Sequence, residues 1–384
     1  MRTSSSPSLS FLAAAAVCLL IAACQTAKHP VNPAAVAAVE ALQPLVDSCG
    51  IPVLQYYYFS PQGDLQGVVC SRDTVFDIPQ PIDGNSIFQA ASLSKPVFAY
   101  IVMRMVDRGQ IDLDTPIAEY TDVDRFADKE MARRLTPRLV LSHQTGLPNW
   151  AAGPSSDEWP TSTITFKYPA DSCFAYSGEG YAFLQRAVED IQGEPLDAIA
   201  RREVFEPFDM PTTSYAWQPA YDSIALVGFN RDGEDRGQGR HPRANSAYTL
   251  RTNATEYAHF VKRGLLDGEG LSKAAHKEMF TPQVHAQRYA DEPRACDSSV
   301  FWCLGFGAVC EPATSAAGVA TATAGDYFWH WGDNGNFKAL WVLHPSTKEG
   351  FVYFSNRATG HDLLAPFLKE LTGDDLPLND WIRN

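Results

Sequence analysis

The chain has 384 residues, 45% of them hydrophobic and 20% charged, with a formal net charge of −14. That balance supports a buried core and excludes collagen-like, coiled-coil and wholly disordered chains. The acidic excess, with no Lys/Arg block interleaved with aromatics, argues against a nucleic-acid partner.

Residues 1–23 read as a signal peptide: Arg2 precedes an apolar run over 11–23 that is short for a membrane span. The run ends Ile21-Ala22-Ala23-Cys24, which is similar to a bacterial lipobox. The similarity implies cleavage before Cys24 and a lipid on its thiol, anchoring the protein to a membrane. Ordinary cleavage nearby, leaving Cys24 a spare thiol, is the alternative. By the usual sorting rule Gln25 directs such an anchor to the outer membrane of the cell envelope, facing the periplasm. Residues 24–33 form a polar tether, and 34–384 the folded domain. Cys49, Cys70, Cys173, Cys296, Cys303 and Cys310 then remain, an even set that predicts disulfides in an oxidising compartment. Proximity favours Cys49 with Cys70, and one bond among Cys296, Cys303 and Cys310.

Helical spacing of Val36, Val39, Leu42, Leu45 and Val46 predicts a helix over 34–47. Strand-like runs at 53–59 and 66–71 flank Ser60-Pro61-Gln62-Gly63-Asp64 and predict a hairpin. The middle of the chain, about 96–290, reads as helix and loop. Strand character returns at 301–309, 327–331, 337–343 and 350–354. The Ala/Thr/Gly stretch 313–325 reads as an exposed loop, and 362–371 as a closing amphipathic helix. β-rich ends around a helical middle predict an α+β fold: one antiparallel sheet built from the N- and C-terminal parts, flanked by helices, with the helical region inserted.

Ser92-Leu93-Ser94-Lys95 is the single Ser-x-x-Lys of the chain. Phe98, Ile101, Val102, Met105 and Val106 form a buried helical face after it, so Ser92 falls at the helix start. Pro96 is tolerable in an early turn. Residues three apart share a helix face, and burial disfavours an ammonium, so Lys95 can serve Ser92 as proton acceptor. Alone the motif is common enough to arise by chance. The absence of Gly-x-Ser-x-Gly, a Walker loop, His-Glu-x-x-His and Cys-x-x-Cys points away from α/β-hydrolases, and from a cofactor or metal. His143 reads as structural, Glu179 as an exposed helix-start carboxylate, and the tryptophans Trp150, Trp159 and Trp302 as core residues that could instead line a cleft.

Four further segments follow in order: Met105–Pro116, Leu141-Ser142-His143-Gln144-Thr145-Gly146-Leu147-Pro148, Tyr176-Ser177-Gly178-Glu179-Gly180-Tyr181 and Pro207-Phe208-Asp209-Met210. With the Ser-x-x-Lys, this series resembles the serine β-lactamase and penicillin-binding superfamily, in its class C-like branch with esterases and D-aminopeptidases, over about 50–370. The resemblance implies a catalytic Ser92, Lys95 and Tyr176, and an oxyanion hole from the backbone N–H groups of Ser92 and Asp333. It aligns His330-Trp331-Gly332 with the family's Lys-Thr-Gly strand, giving His330 a catalytic role and Trp331, Gly332 and Gly178 places against the substrate. Gly178 replaces the family's Asn, and His330-Trp331 supplies neither a permanent cation nor a hydroxyl. An ester or amide lacking a free carboxylate therefore fits better than a β-lactam or D-Ala terminus, unless Arg288, Arg294 or Arg357 restores a cation. D-amino-acid peptidase or β-lactamase activity, and a non-catalytic envelope protein binding peptidoglycan or a partner, stand as alternatives.

Overall fold

A computed structural model of the chain describes residues 33–72, 76–286, 299–310 and 327–383. The predicted signal peptide, Cys24, Cys296, Arg288, Arg294 and the 313–325 loop lie outside the described residues.

The alternating and apolar runs form the strands β1 (Val53–Phe59), β2 (Leu65–Cys70), β3 (Phe88–Gln89), β4 (Arg251–Thr252), β5 (Val284–His285), β6 (Val300–Trp302), β7 (Gly307–Val309), β8 (Tyr327–Asp333), β9 (Lys338–His344) and β10 (Glu349–Ser355). Eight of them make one sheet in the order β2-β1-β10-β9-β8-β7-β6-β5, every neighbouring pair antiparallel. β3 and β4 pair apart from it. N-terminal β1 lies between β2 and C-terminal β10, so both ends of the chain build the sheet as predicted. The stretch expected as one strand over 301–309 is instead a hairpin. Its turn holds Gly305 at φ +106°, and a Cβ there would stand 2.3 Å from the Ala99 Cβ.

Five helices frame the site and the sheet: α1 (Pro33–Cys49), α2 (Ser94–Asp107), α3 (Gly178–Gln192), α4 (Leu364–Thr372) and α5 (Leu378–Arg383). Period-two alternation divides the sheet's side chains between two cores. Val53, Tyr57 and Phe59 of β1, with Ala339, Trp341 and Leu343 of β9, pack under α2 and the inserted helical region. Leu54 and Tyr58, with Leu340 and Val342, pack on the other face with residues of α1, α4 and α5. The six-residue α5 escapes a periodicity reading because it is so short. It is held by tertiary contact: the buried Trp381 indole donates to the Ala286 carbonyl at 2.7 Å.

The Cys49–Cys70 disulfide expected from proximity is not formed; both thiols are unpaired. Cys70 meets α1 through Gln43, whose amide donates to the Cys70 carbonyl at 3.0 Å. Gln43 in turn bonds Asp47 on the same helix face. Cys49 is two residues beyond Asp47, about 200° around the helix, and faces away. Cys303 and Cys310 are not bonded to each other either, because they stand at opposite ends of the β6–β7 hairpin.

Candidate active site

Ser92 sits in a single 3₁₀ turn, Ala91–Leu93, that runs straight into α2. Ala91 before it has φ +49°, a left-handed conformation costing a non-glycine residue ~1–2 kcal/mol. Buried hydrogen bonds hold this strain. Leu93 N–H donates to the Ala90 carbonyl at 3.0 Å. Ser94 Oγ donates to the Ala91 carbonyl at 2.6 Å and accepts from Leu250 N–H at 3.0 Å. The second serine of the motif is thus consumed in fixing the turn, while Ser92 faces a cavity of about 310 Å³.

Lys95 reaches the same cavity from the first turn of α2, its Nζ 3.2 Å from Ser92 Oγ and 2.9 Å from the Ala247 carbonyl. It is only 1% exposed, and burial pushes its amine well below the ordinary lysine range. An unprotonated amine at that distance can take a hydroxyl proton. Nζ also lies 4.6 Å from the ring centroid of Tyr176, which is half-buried, and 5.5 Å from that of Tyr181.

Gly332 lets β8 press against the Ser92 turn: a Cβ on it would stand 2.3 Å from the Ala90 carbonyl oxygen. The close approach brings Asp333 to the cavity wall with Ser92. The Asp333 carboxylate is engaged by Lys338 Nζ and accepts from Gly335 N–H at 2.8 Å.

Other predicted contacts fall elsewhere. Trp331 follows His330 on the strand, and the alternation sends it to the opposite face, 7% exposed, with its ring centroid 4.9 Å from that of Trp381. It does not line the cavity. His330 is fully buried, with Nδ1 2.7 Å from the Trp331 carbonyl and its ring 6.5 Å from that of Tyr176. Burial and the nearby Lys95 hold His330 well below the usual histidine range, so it is a neutral group behind the site and off the cavity wall. Gly178 does not reach the wall either, because the Trp150 indole covers it. A Cβ on Gly178 would stand 2.3 Å from the ring's Cζ2. The indole occupies the volume that a side chain at 178 would need.

Glu179, expected on the surface, is fully buried. It pairs with Arg125 at 3.2 Å and accepts from the Trp159 indole at 2.7 Å and from Ala151 N–H at 3.0 Å. It thereby pins the loop carrying Trp150, which lines the cavity. Trp302, by contrast, is core.

Sequence reasoning missed much of the remaining wall: Gln89, Asn149, Arg236, His241, Tyr248 and Asn334. Asn149 was nearest to view, since it directly follows Pro148 of the 141–148 segment. Arg236 and His241 come from a stretch without periodicity. Arg236 is 58% exposed, and the nearest carboxylate recorded for it is Glu234 at 3.9 Å. Arg357, proposed as a substitute cation, is instead bonded to the carbonyls of Gly50 and Arg231, off the cavity wall. His241 bridges Ser155 Oγ at 3.2 Å and Gln89 Oε1 at 3.3 Å. Burial first, then the Arg251 charge, lowers its pKa to about 4, so it is neutral near pH 7.

Comparison with known proteins gives the chain a family and a fold. The Beta-lactamase family profile matches residues 61–371. Penicillin-binding protein 4 of Amycolatopsis lactamdurans is 31% identical over 134 residues, 33% of this chain and 35% of that protein. Esterase EstB of Burkholderia gladioli is 33% identical over 73 residues, 18% of each chain. The chain therefore matches about a third or less of the length of these relatives. Among solved structures, a class C beta-lactamase mutant superposes with a TM-score of 0.71 at 16% identity, over 90% of this chain and 99% of its own. At that identity the likeness speaks for the fold.

Proposed function

The chain belongs to the Beta-lactamase family, and from that premise we propose that it hydrolyses an ester or amide through an acyl-enzyme on Ser92. The observation that carries the reading is the buried Lys95 amine, 3.2 Å from Ser92 Oγ at the cavity wall, with burial pushing it well below the ordinary lysine range. Ser92 Oγ attacks the carbonyl, and its proton passes to Lys95 Nζ with the Tyr176 phenol as relay. The N–H groups of Ser92 and Asp333 receive the oxyanion. The leaving group departs with the proton, and water then attacks the acyl-enzyme to release the acid and restore Ser92.

The ester preference rests on what the β8 strand lacks. His330 is buried and neutral, Trp331 packs its apolar ring 5.1 Å from that of Tyr176 without lining the cavity, and an indole fills the space at Gly178. No carboxylate reader of the Lys-Thr kind stands there. One observation favours a second reading, D-amino-acid peptidase: Arg236 places a cation on the same wall as Ser92. We further propose that the protein works in the cell envelope, tethered by a lipid on Cys24.

A fluorophosphonate probe and a substrate panel of p-nitrophenyl butyrate, a peptide ending in D-alanyl-D-alanine with a free carboxylate, and nitrocefin test the proposal. Labelling is expected in the natural protein and lost in Ser92→Ala, with the ester turned over fastest. Labelling that persists in Ser92→Ala would place the nucleophile elsewhere. No label and no turnover of any substrate would leave a binding role in the envelope.

A further inference from the structure

His143 enters neither the proton route nor the cavity wall, yet it touches the Tyr176 segment in three ways. Its backbone carbonyl accepts from Ala175 N–H at 2.7 Å. Its ring Nδ1 accepts from Ser177 N–H at 3.1 Å. Its imidazole lies against the phenol ring, centroids 4.2 Å apart and planes at 33°. The residues on both sides of Tyr176, and the Tyr176 ring itself, are therefore held by one residue.

The arrangement is costly to build. His143 is fully buried and has φ +57°, a left-handed conformation that is uncommon outside glycine, costs ~1–2 kcal/mol in general and is entered more readily by Asn, Asp and His than by other side chains. With Nδ1 accepting, the ring proton sits on Nε2, which meets no hydrogen-bond partner among the described residues. Aromatic rings surround it: Tyr181 at 5.2 Å, Trp302 at 5.4 Å and Phe174 at 5.7 Å between centroids. Burial, with Lys95 and His330 nearby, keeps the imidazole neutral, so no added charge competes with Lys95. Strained backbone and an unsatisfied donor together are a poor solution for packing alone, and both are explained if the residue must clamp its neighbour.

We infer that His143 is the positioning residue that sets the Tyr176 phenol against Lys95 and Ser92. The inference rests on the proton route proposed above, in which the phenol relays. A misplacement of about 1 Å in such a group costs on the order of 10²-fold in rate.

Rates on p-nitrophenyl butyrate for His143→Ala, Tyr176→Phe and the double variant test this. His143→Ala is expected to lower kcat about 10²-fold with KM within twofold. In the Tyr176→Phe background the same change should cost under threefold, because the group it positions is gone. Should His143→Ala fail to fold, His143→Asn serves: Asn tolerates positive φ and offers an amide oxygen to Ser177 N–H. It should retain a melting temperature near that of the natural protein and a kcat between the natural protein and His143→Ala, with the same non-additivity. The inference is overturned if both His143 variants keep natural kcat, or if their losses multiply with that of Tyr176→Phe. Multiplying losses would overturn the clamp and leave the phenol relay standing. A Tyr176→Phe variant with natural kcat would remove the relay and the clamp together.

Discussion

Placing the missing Cβ on Gly178 probes how the cleft is shaped. In Gly178→Ala the new carbon stands 2.3, 2.5 and 2.7 Å from Trp150 Cζ2, Cη2 and Cε2. Ordinary contact is ~3.5–4.0 Å, so the indole must retreat by roughly 1 Å. It starts from edge-on packing against Tyr248 and Trp159, with centroids 5.4 and 5.9 Å apart. Overpacking of this kind costs ~1–3 kcal/mol, and losing an aromatic pair ~0.5–1.5 kcal/mol. A central expectation is ~2 kcal/mol. With an unfolding entropy of ~2.1 cal/mol/K per residue over about 350 residues, that lowers Tm by about 3 °C. Because Trp150 lines the cavity, KM for p-nitrophenyl butyrate should shift as well. Calorimetry and steady-state kinetics read the two effects, and Trp150→Ala supplies the control. In that background Gly178→Ala should cost nothing further. A Gly178→Ala protein with natural Tm, or an equal Tm loss without the indole, would refute the steric reasoning.

Two further changes test the electrostatics. Lys95→Met should abolish detectable ester turnover while raising Tm at pH 7. Burial lowers the folded pKa of Lys95 well below the ordinary value of 10.5, so between the two values the unfolded chain holds a proton that folding must expel. Natural stability therefore rises with pH through that window, and the advantage of Lys95→Met should shrink toward pH 10; a pH-independent difference would contradict a lowered lysine pKa. Arg236→Ala should raise KM about five- to tenfold for an ester bearing a carboxylate on its acyl group, and less than twofold for p-nitrophenyl butyrate. Equal effects on both would show that Arg236 does not read charge.

Local rules carried much of the architecture. Helical spacing placed α1 and the helix after Ser92, and period-two runs placed β1, β2, β8, β9 and β10 close to their observed bounds. The i to i+3 spacing was enough to bring Lys95 against Ser92, because neighbours on one helical turn meet whatever the rest of the chain does. Strand alternation also sends His330 and Trp331 to different faces of β8, yet both rings stand near Tyr176, at 6.5 and 5.1 Å between centroids. What the sequence by itself determined, then, was whatever depends on residues within a turn or a strand of each other.

Only the tertiary structure decided the rest. The space at Gly178 is filled by Trp150, 28 positions earlier, and Glu179 is buried because Arg125 and Trp159 come to meet it. Arg236 reaches the Ser92 wall from a stretch with no periodic signal. Cys49 and Cys70, near in sequence, are kept apart by the rotation of α1. Contacts between distant segments depend on how helices and sheet dock, and docking depends on the sum of many weak burials, none of which leaves a local pattern. The residues proposed to shape substrate choice are of that second kind.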